Sequence, residues 1–399
     1  MNRKEFLKLT SSGISLLPFL SLPIEGKETS PQPKTLVLIE LKGGNDSLNT
    51  FIPYKEKLYY QLRPKLSVPA DKIISLNGTL GLHPVLTEMK DIWNQGKLAL
   101  FPGIGYEDPN RSHFRSIDIW DTASDEDEFL SEGWISEIFK ANNIPEGLIA
   151  HGIIIGSDDE GPLFGRGMRN VVIQNIRKFL NDAKHSEEEE IGVLQKEIKK
   201  YNGINPSLSH ILTIQKNLLI SSIKLREKIK KPVQLKIKFP QNRSGKNFEL
   251  AAQIIGSEVP IPVIKITLGG FDTHKNQKPK HEKLLKELSS SLASFEKAMK
   301  ELGRWDDILV LSYSEFGRRV KENGSDGTDH GAAATHFALG GKVKGGIYGT
   351  FPDLNALHKG DLKYTTDYRS IYRTIVEDWW TFKNHGRIDI KDKIKLSFL

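Results

Sequence analysis

Acidic and histidine side chains gather at four places along the chain. These are Gly43-Gly44-Asn45-Asp46, Phe271-Asp272-Thr273-His274, Ser314-Glu315-Phe316-Gly317-Arg318-Arg319 and Gly327-Thr328-Asp329-His330-Gly331. Asp, Glu and His are the ligands a divalent metal accepts where no thiolate is on offer, and this chain has no cysteine. Hydrolysis of an ester by such a metal requires it to polarise the substrate and to lower the pKa of the attacking group. The ligands must also converge from several loops. An Asp-x-His alone is commonplace. Four such clusters, each at the end of an apolar run or in the loop after one, form a more specific pattern.

Each cluster needs an element to place it. The run TLVLIEL (35–41) is almost continuously apolar and stops at Gly43-Gly44. That predicts a buried parallel strand feeding a glycine-rich loop. In open α/β sheets ligands collect beyond the carboxyl ends of such strands, where Asp46 would lie. LALF (98–101), closed by Pro102-Gly103, predicts a second strand, and PVIKITL (262–268) and ILVLS (308–312) predict two more. Ser112 is a favoured N-cap and is expected to open a helix over SHFRSIDIWDT. Helical patterns cover about 181–200, 207–229 and 281–302, and the stretch 180–250 is expected to hold a helical cap or insertion. Apolar strands separated by helices predict an α/β three-layer sandwich: a mostly parallel central sheet with helices on both faces.

The N-terminus starts charged (Asn2 to Lys8) and continues into a mildly apolar run, Ile14 to Leu22. This is the layout of an export signal over residues 1–24, with an apolar core shorter than the roughly 20 residues of a transmembrane helix. Arg3-Lys4-x-Phe6-Leu7-Lys8 is similar to a twin-arginine signal with Lys in the second Arg place. An amphipathic helix on the folded domain is the alternative for this segment. Residues 25–34 read as a linker and 35–399 as one domain. The net charge of +7 comes from lysines spread over many segments, which describes a charged surface rather than a nucleic-acid footprint. A periplasmic or extracellular protein with no transmembrane segment in its mature part is expected.

Several segments resemble a bacterial family, domain of unknown function 1501. They are LVLIELKGGNDSLNTFIPY (36–54), GLHPVLTEM (81–89), LALFPGIGYEDPNRSHFRSIDIWDT (98–122), GGFDTH (269–274), LVLSYSEFGRRVKENGSDGTDHGAAATHFALGG (309–341) and VKGGIYG (343–349). The resemblance implies an exported protein with a fold similar to the alkaline phosphatase and sulfatase superfamily. Laid on this sequence, that superfamily's pattern implies a divalent metal, zinc foremost, with manganese, calcium or iron as alternatives. Asp46 would be a ligand from the first strand, Asp272 and His274 ligands of one metal, and Glu315, Asp329 and His330 would complete the set. Ser112 would be the nucleophile at a helix N-terminus, where dipole and backbone N–H groups favour an anion. Arg318 would grip an anionic oxygen. The substrate implied is a phosphate or sulfate ester, or a sulfated or phosphorylated polymer.

Each of these residues has a structural alternative. Asp272 and His274 can be a simple pair, Asp329-His330-Gly331 a tight turn, Glu315 an anchor for Arg318 or Arg319, and Ser112 only a cap. His113 and His336 read as packed histidines before ligands, His281 as a surface residue opening a helix, and His83 as a structural loop residue. Lys42-Gly43-Gly44 stands where the superfamily has Asp-Gly, and Ser-Glu-Phe where it has an Asp-His pair. These departures motivate a second hypothesis, an exported, non-catalytic binding or assembly protein on the same fold.

Overall fold

In the computed structural model, which describes residues 34–144, 147–181 and 187–399, the apolar runs become the strands of one nine-stranded sheet. The signal expected at 1–24 and nearly all of the 25–34 linker lie outside the described residues. Seven longer strands make up most of the sheet: β1 (Thr35–Lys42), β2 (Leu98–Gly105), β3 (Gly152–Ile155), β4 (Asn170–Ile173), β5 (Val263–Gly269), β6 (Ile308–Tyr313) and β7 (Ala334–Gly340). Their order is β2-β7-β6-β1-β5-β3-β4, with two short pieces, Gly346–Ile347 and Thr366–Asp367, alongside β2. β1 lies between β5 and β6 and is parallel to both, with Val37 facing Ile264 on one side and Val310 on the other.

β7 alone among the longer strands runs against its neighbours, antiparallel to β6 and β2. It was not expected as a strand. β2 also runs further than expected, through Pro102 and Gly103 to Gly105. The β2–β7 ladder shifts register between Ala334 and His336, and Pro102 is accommodated at this irregular stretch.

The helices are α1 (Thr87–Asn94), α2 (His113–Thr122), α3 (Trp134–Ala141), α4 (Glu187–Tyr201), α5 (Pro206–Ile229), α6 (Arg243–Gly256), α7 (Gln277–Glu301) and α8 (Arg369–Thr374), besides shorter turns. Alternate residues of β1 enter two different cores. Val37, Ile39 and Leu41 pack with Met89 of α1, Phe248 of α6 and Leu285 and Phe295 of α7. Leu36 and Leu38 pack with Trp120 of α2, Trp134 of α3 and Tyr372 of α8. A strand covered on both faces must be apolar at successive positions, which explains TLVLIEL. α4 and α5 pack chiefly on each other. α6, within the stretch 180–250, belongs to the layer that flanks the sheet and buries Phe248, Ala251 and Ile255. Among the described residues no helix is long and apolar enough to cross a membrane.

Candidate metal centre

Three loops meet at the carboxyl ends of β1, β5 and β6. The loop after β1 turns through Gly43 (φ +116°) and Gly44 (φ +79°). A Cβ on Gly43 would lie 2.3 Å from the Asp272 nitrogen, and one on Gly44 would lie 2.4 Å from the Phe316 ring. Only glycine allows both the backbone conformation and the approach. The two N–H groups donate to the Glu315 carboxylate at 2.8, 3.0 and 2.9 Å. The Glu315 and Asp329 motifs pair as a short antiparallel bridge between Arg318 and His330. Arg319 N–H donates to Asp329 O, and Gly331 N–H to Gly317 O.

This framework turns three histidines toward one carboxylate. His274 Nε2 lies 3.0 Å and His330 Nε2 3.2 Å from Asp272 Oδ1, and His113 Nε2 lies 3.5 Å from Asp272 Oδ2. The two ring nitrogens of His274 and His330 face each other at 2.9 Å. Behind each ring, Nδ1 meets an acceptor. His330 Nδ1 is 2.9 Å from the Arg111 carbonyl, His274 Nδ1 is 3.3 Å from Asp329, and His113 Nδ1 is 3.4 Å from Glu315. A carbonyl can only accept, so His330 carries a proton on Nδ1, and its Nε2 faces Asp272. The carboxylates of Asp329 and Glu315 likewise serve as acceptors for Nδ1 of His274 and His113. Three Nε2 atoms thus face one carboxylate; a cation placed there would meet their lone pairs and the Asp272 oxygens together, and without one a ring proton bonds to Asp272 instead. The acceptor behind each ring is the outer-shell support that orients metal-binding histidines.

The electrostatics agree with the geometry. Burial would raise the Asp272 carboxyl, but hydrogen bonding and charge from Arg318, then His330 and His274, outweigh it and hold it down at about 2. Glu315 is likewise held below its ordinary value, because hydrogen bonds from His113 and from the Gly43 and Gly44 backbone overcome its burial. Burial lowers His330. Phe316 lies against His330 with ring centres 4.3 Å apart and planes tilted by 30°, and also borders His113 at 5.0 Å.

The residues expected from the sequence divide into three groups. Asp272, His274 and His330 face the centre. Glu315 and Asp329, expected as ligands, instead stand behind His113 and His274. Asp46 lies elsewhere: it is fully buried, with Oδ2 bonded to Arg63 at 2.6 Å and to Gln277. Arg63 outweighs the desolvation of Asp46 and keeps its carboxyl below the ordinary value. Arg318, expected to grip substrate, is also committed. Its side chain is fully buried and donates to the carbonyls of Gly43, Gly44, Phe271 and Thr328 and to Asp272. It ties the three loops together.

His113, weighed as a packed histidine, supplies the ring that completes the set, and with Asp272 and His330 it forms a group able to hold a metal ion. The one available signal was its place directly after Ser112. Ser112 is indeed the N-cap of α2, exposed, with its N–H on Asn110 and no cap bond from its hydroxyl. His281, expected at the surface, is buried in α7 with Nε2 2.9 Å from Asn45 Oδ1, since the helix starts four residues earlier at Gln277. His336 is a core residue of β7 packed edge-on against Trp120. His83 is buried, with Nδ1 facing the Val85 N–H. Arg115 holds the 125–128 loop through its carbonyls.

None of the curated proteins compared matches the chain in sequence. Solved structures are similar to it at low identity, three of them as follows. The C-terminal periplasmic domain of EcEptC from Escherichia coli, in complex with Zn, is 11% identical with a TM-score of 0.38, covering 78% of this chain and 74% of that one. The PsFucS1 sulfatase from Pseudoalteromonas sp. is 8% identical with a TM-score of 0.38, covering 90% and 68%. A TAB5 alkaline phosphatase mutant with Mg bound is 11% identical with a TM-score of 0.32, covering 77% and 91%. Residues 234–381, which carry Asp272, His274, Glu315, Arg318, Asp329 and His330, match the model of the family described as "Protein of unknown function (DUF1501)".

Proposed function

We propose that the chain is a metal-dependent hydrolase of phosphate or sulfate esters that acts outside the cytoplasm, with one divalent ion held by His113, Asp272, His274 and His330. The supporting observation is the common orientation of the three imidazoles, each with Nδ1 on an acceptor and Nε2 toward Asp272. A nitrogen-rich set with one carboxylate and no sulfur suits zinc, and also manganese or iron; calcium, which prefers oxygen ligands, fits it poorly. The export expectation rests on the charged-then-apolar start of the sequence.

A divalent ion bound there would polarise an ester oxygen and make the attacking oxygen more acidic. Asp272 contributes the negative charge, which Arg318 keeps ionised and fixed in direction. Arg111, Asp329 and Glu315 hold the three rings, so that little reorganisation is needed when an ester arrives. Ser112 offers its hydroxyl one residue before His113, at the first turn of α2, where free N–H groups and the helix dipole favour an anionic group. In this mechanism Ser112 Oγ forms a bond to phosphorus or sulfur while the bond to the alcohol oxygen breaks. That alcohol leaves with the proton, and water then releases the acid from Ser112. The phosphate or sulfate itself is recognised as an anion at this helix start, not by Arg318.

The test is elemental analysis of the purified chain, followed by turnover of p-nitrophenyl phosphate and p-nitrophenyl sulfate. About one equivalent of metal, lost together with turnover in Asp272→Asn, is the expected result. Ser112→Ala should keep the metal and lose turnover. Absence of metal after incubation with excess zinc or manganese would refute the assignment. Metal without turnover of any ester would leave the non-catalytic binding protein.

A further inference from the structure

The hairpin of α4 and α5 packs on the rest of the protein through its base. The buried residues of α5 are Ser221, Leu225, Arg226 and Ile229, all toward its C-terminal end. Leu225 and Ile229 enter the core that holds Phe248 of α6. Arg226 donates to Glu187 at 2.6 and 2.8 Å and to the Phe179 carbonyl at 2.7 Å, which fastens the start of α4 to the same base. From Pro206 to Ile220 no side chain is buried, although nearly half of those positions are Leu or Ile. Ile211, Ile214 and Leu218 stand at i, i+3 and i+7 on one stripe, and Ile211 is 59% exposed. A helix this apolar belongs under cover, and its one long neighbour, α4, covers only part of it.

The outer face of α4 carries a second pattern. Glu189, Glu190, Val193, Lys196 and Lys200 are all exposed, at spacings that place them on one face of a helix. Neither Glu189, Glu190 nor Lys196 has an ion-pair partner among the described residues. The acidic side chains stand toward the start of the helix and the basic ones toward its end, with Val193, 53% exposed, between them. That polarity suits the helix's own dipole. It also makes the face complementary to itself when turned end for end: an antiparallel copy centred on Val193 sets Glu189 and Glu190 of one chain beside Lys196 of the other, twice over. Ser209, whose hydroxyl bonds the Ile198 carbonyl, marks where α4 and α5 meet, and Val193 and Ile211 both lie on the far side from that contact.

We propose that this hairpin is the contact between two copies of the chain, related by a two-fold axis beside Val193, with α4 antiparallel to α4 and the apolar stripe of α5 covered by the second hairpin. The lone acidic and basic side chains set the direction, and the Leu and Ile side chains supply the burial. The contact is independent of the metal centre.

The experiment is sedimentation equilibrium of the full chain over a range of micromolar concentrations, with EDTA present so that no metal links the copies. A particle of twice the 45.0 kDa chain is expected, in reversible exchange with the single chain. Ile211→Glu should leave only the single chain, with unchanged helix content by circular dichroism. Lys196→Glu, at an exposed position that does not bear on folding, should raise the dissociation constant roughly tenfold or more, because pairs on both sides of the axis turn into repulsions. Adding Glu189→Lys and Glu190→Lys to that variant should restore wild-type association, since the same pairs re-form with signs exchanged. A wild-type chain that stays single at every concentration overturns the proposal, and sedimentation of that chain with anionic lipid vesicles would give the apolar stripe to a membrane surface instead. A dimer unaffected by both Ile211→Glu and Lys196→Glu overturns it as well, because the copies then meet elsewhere. Failure of the exchanged charges to restore association refutes the antiparallel pairing.

Discussion

Arg318→Lys keeps the positive charge of the residue that ties the three site loops together and removes its fork of donors. Arg318 reaches four backbone carbonyls (Gly43, Gly44, Phe271 and Thr328) and the Asp272 carboxylate, from a side chain with no exposure. An ammonium has three donors at one point and cannot span acceptors on three separate loops. At least two buried carbonyls lose their partner, at about 1–3 kcal/mol each, so the variant should be destabilised by roughly 2–6 kcal/mol. Against a total stability of about 5–15 kcal/mol this is a large fraction. The assay is equilibrium unfolding in urea with EDTA present, so that metal binding does not contribute, followed by both tryptophan fluorescence and circular dichroism. The midpoint should fall at an unchanged slope. Zinc affinity should also drop, since Asp272 loses its fixed direction. A midpoint within error of the wild type, with zinc affinity intact, would show that Arg318 is not the tie described here.

Other outcomes follow from the same geometry. Glu315→Gln should weaken zinc binding by about 10–100-fold in calorimetry, because it stands behind His113, whereas His113→Ala should weaken it further; equal affinities in Glu315→Gln and wild type would refute the positioning role. Asp46→Asn leaves Arg63 buried without its counter-charge and should cost about 3–5 kcal/mol at neutral pH by urea titration. The folded Asp46 carboxyl lies below its ordinary value of 3.8, so its contribution is present above that pH and is lost as the pH falls through the folded value. The wild type should therefore lose stability below about pH 4 more steeply than Asp46→Asn; parallel curves would contradict this. Gly44→Ala forces a side chain into a left-handed backbone against Phe316, and should cost at least about 1–2 kcal/mol and loosen the ring that lies against His330. An unchanged melting temperature would count against that close approach.

The sequence by itself determined where chemistry could gather. TLVLIEL, PVIKITL and ILVLS are apolar at successive positions because both faces of their strands are covered, and that pattern is local in the chain. Gly43-Gly44, Asp272 and Glu315 follow those strands directly, so their collection at one end of the sheet was legible. β7 was not, because the apolar part of ATHFALG is short. Only the tertiary structure decided what each polar residue does. Whether a carboxylate meets an ion or the back of a histidine depends on distances between loops that begin on different strands. Glu315 and Asp329 thus moved behind the rings, and His113 came in from a helix whose start gave little sign of it. Asp46 was claimed by Arg63, a residue in an unremarkable segment, QLRPKL, that only folding brings to it. Ligand chemistry is carried by residue type, which a sequence displays. Ligand geometry is carried by contacts between residues more than 200 positions apart, such as His113 with Glu315, which it does not display.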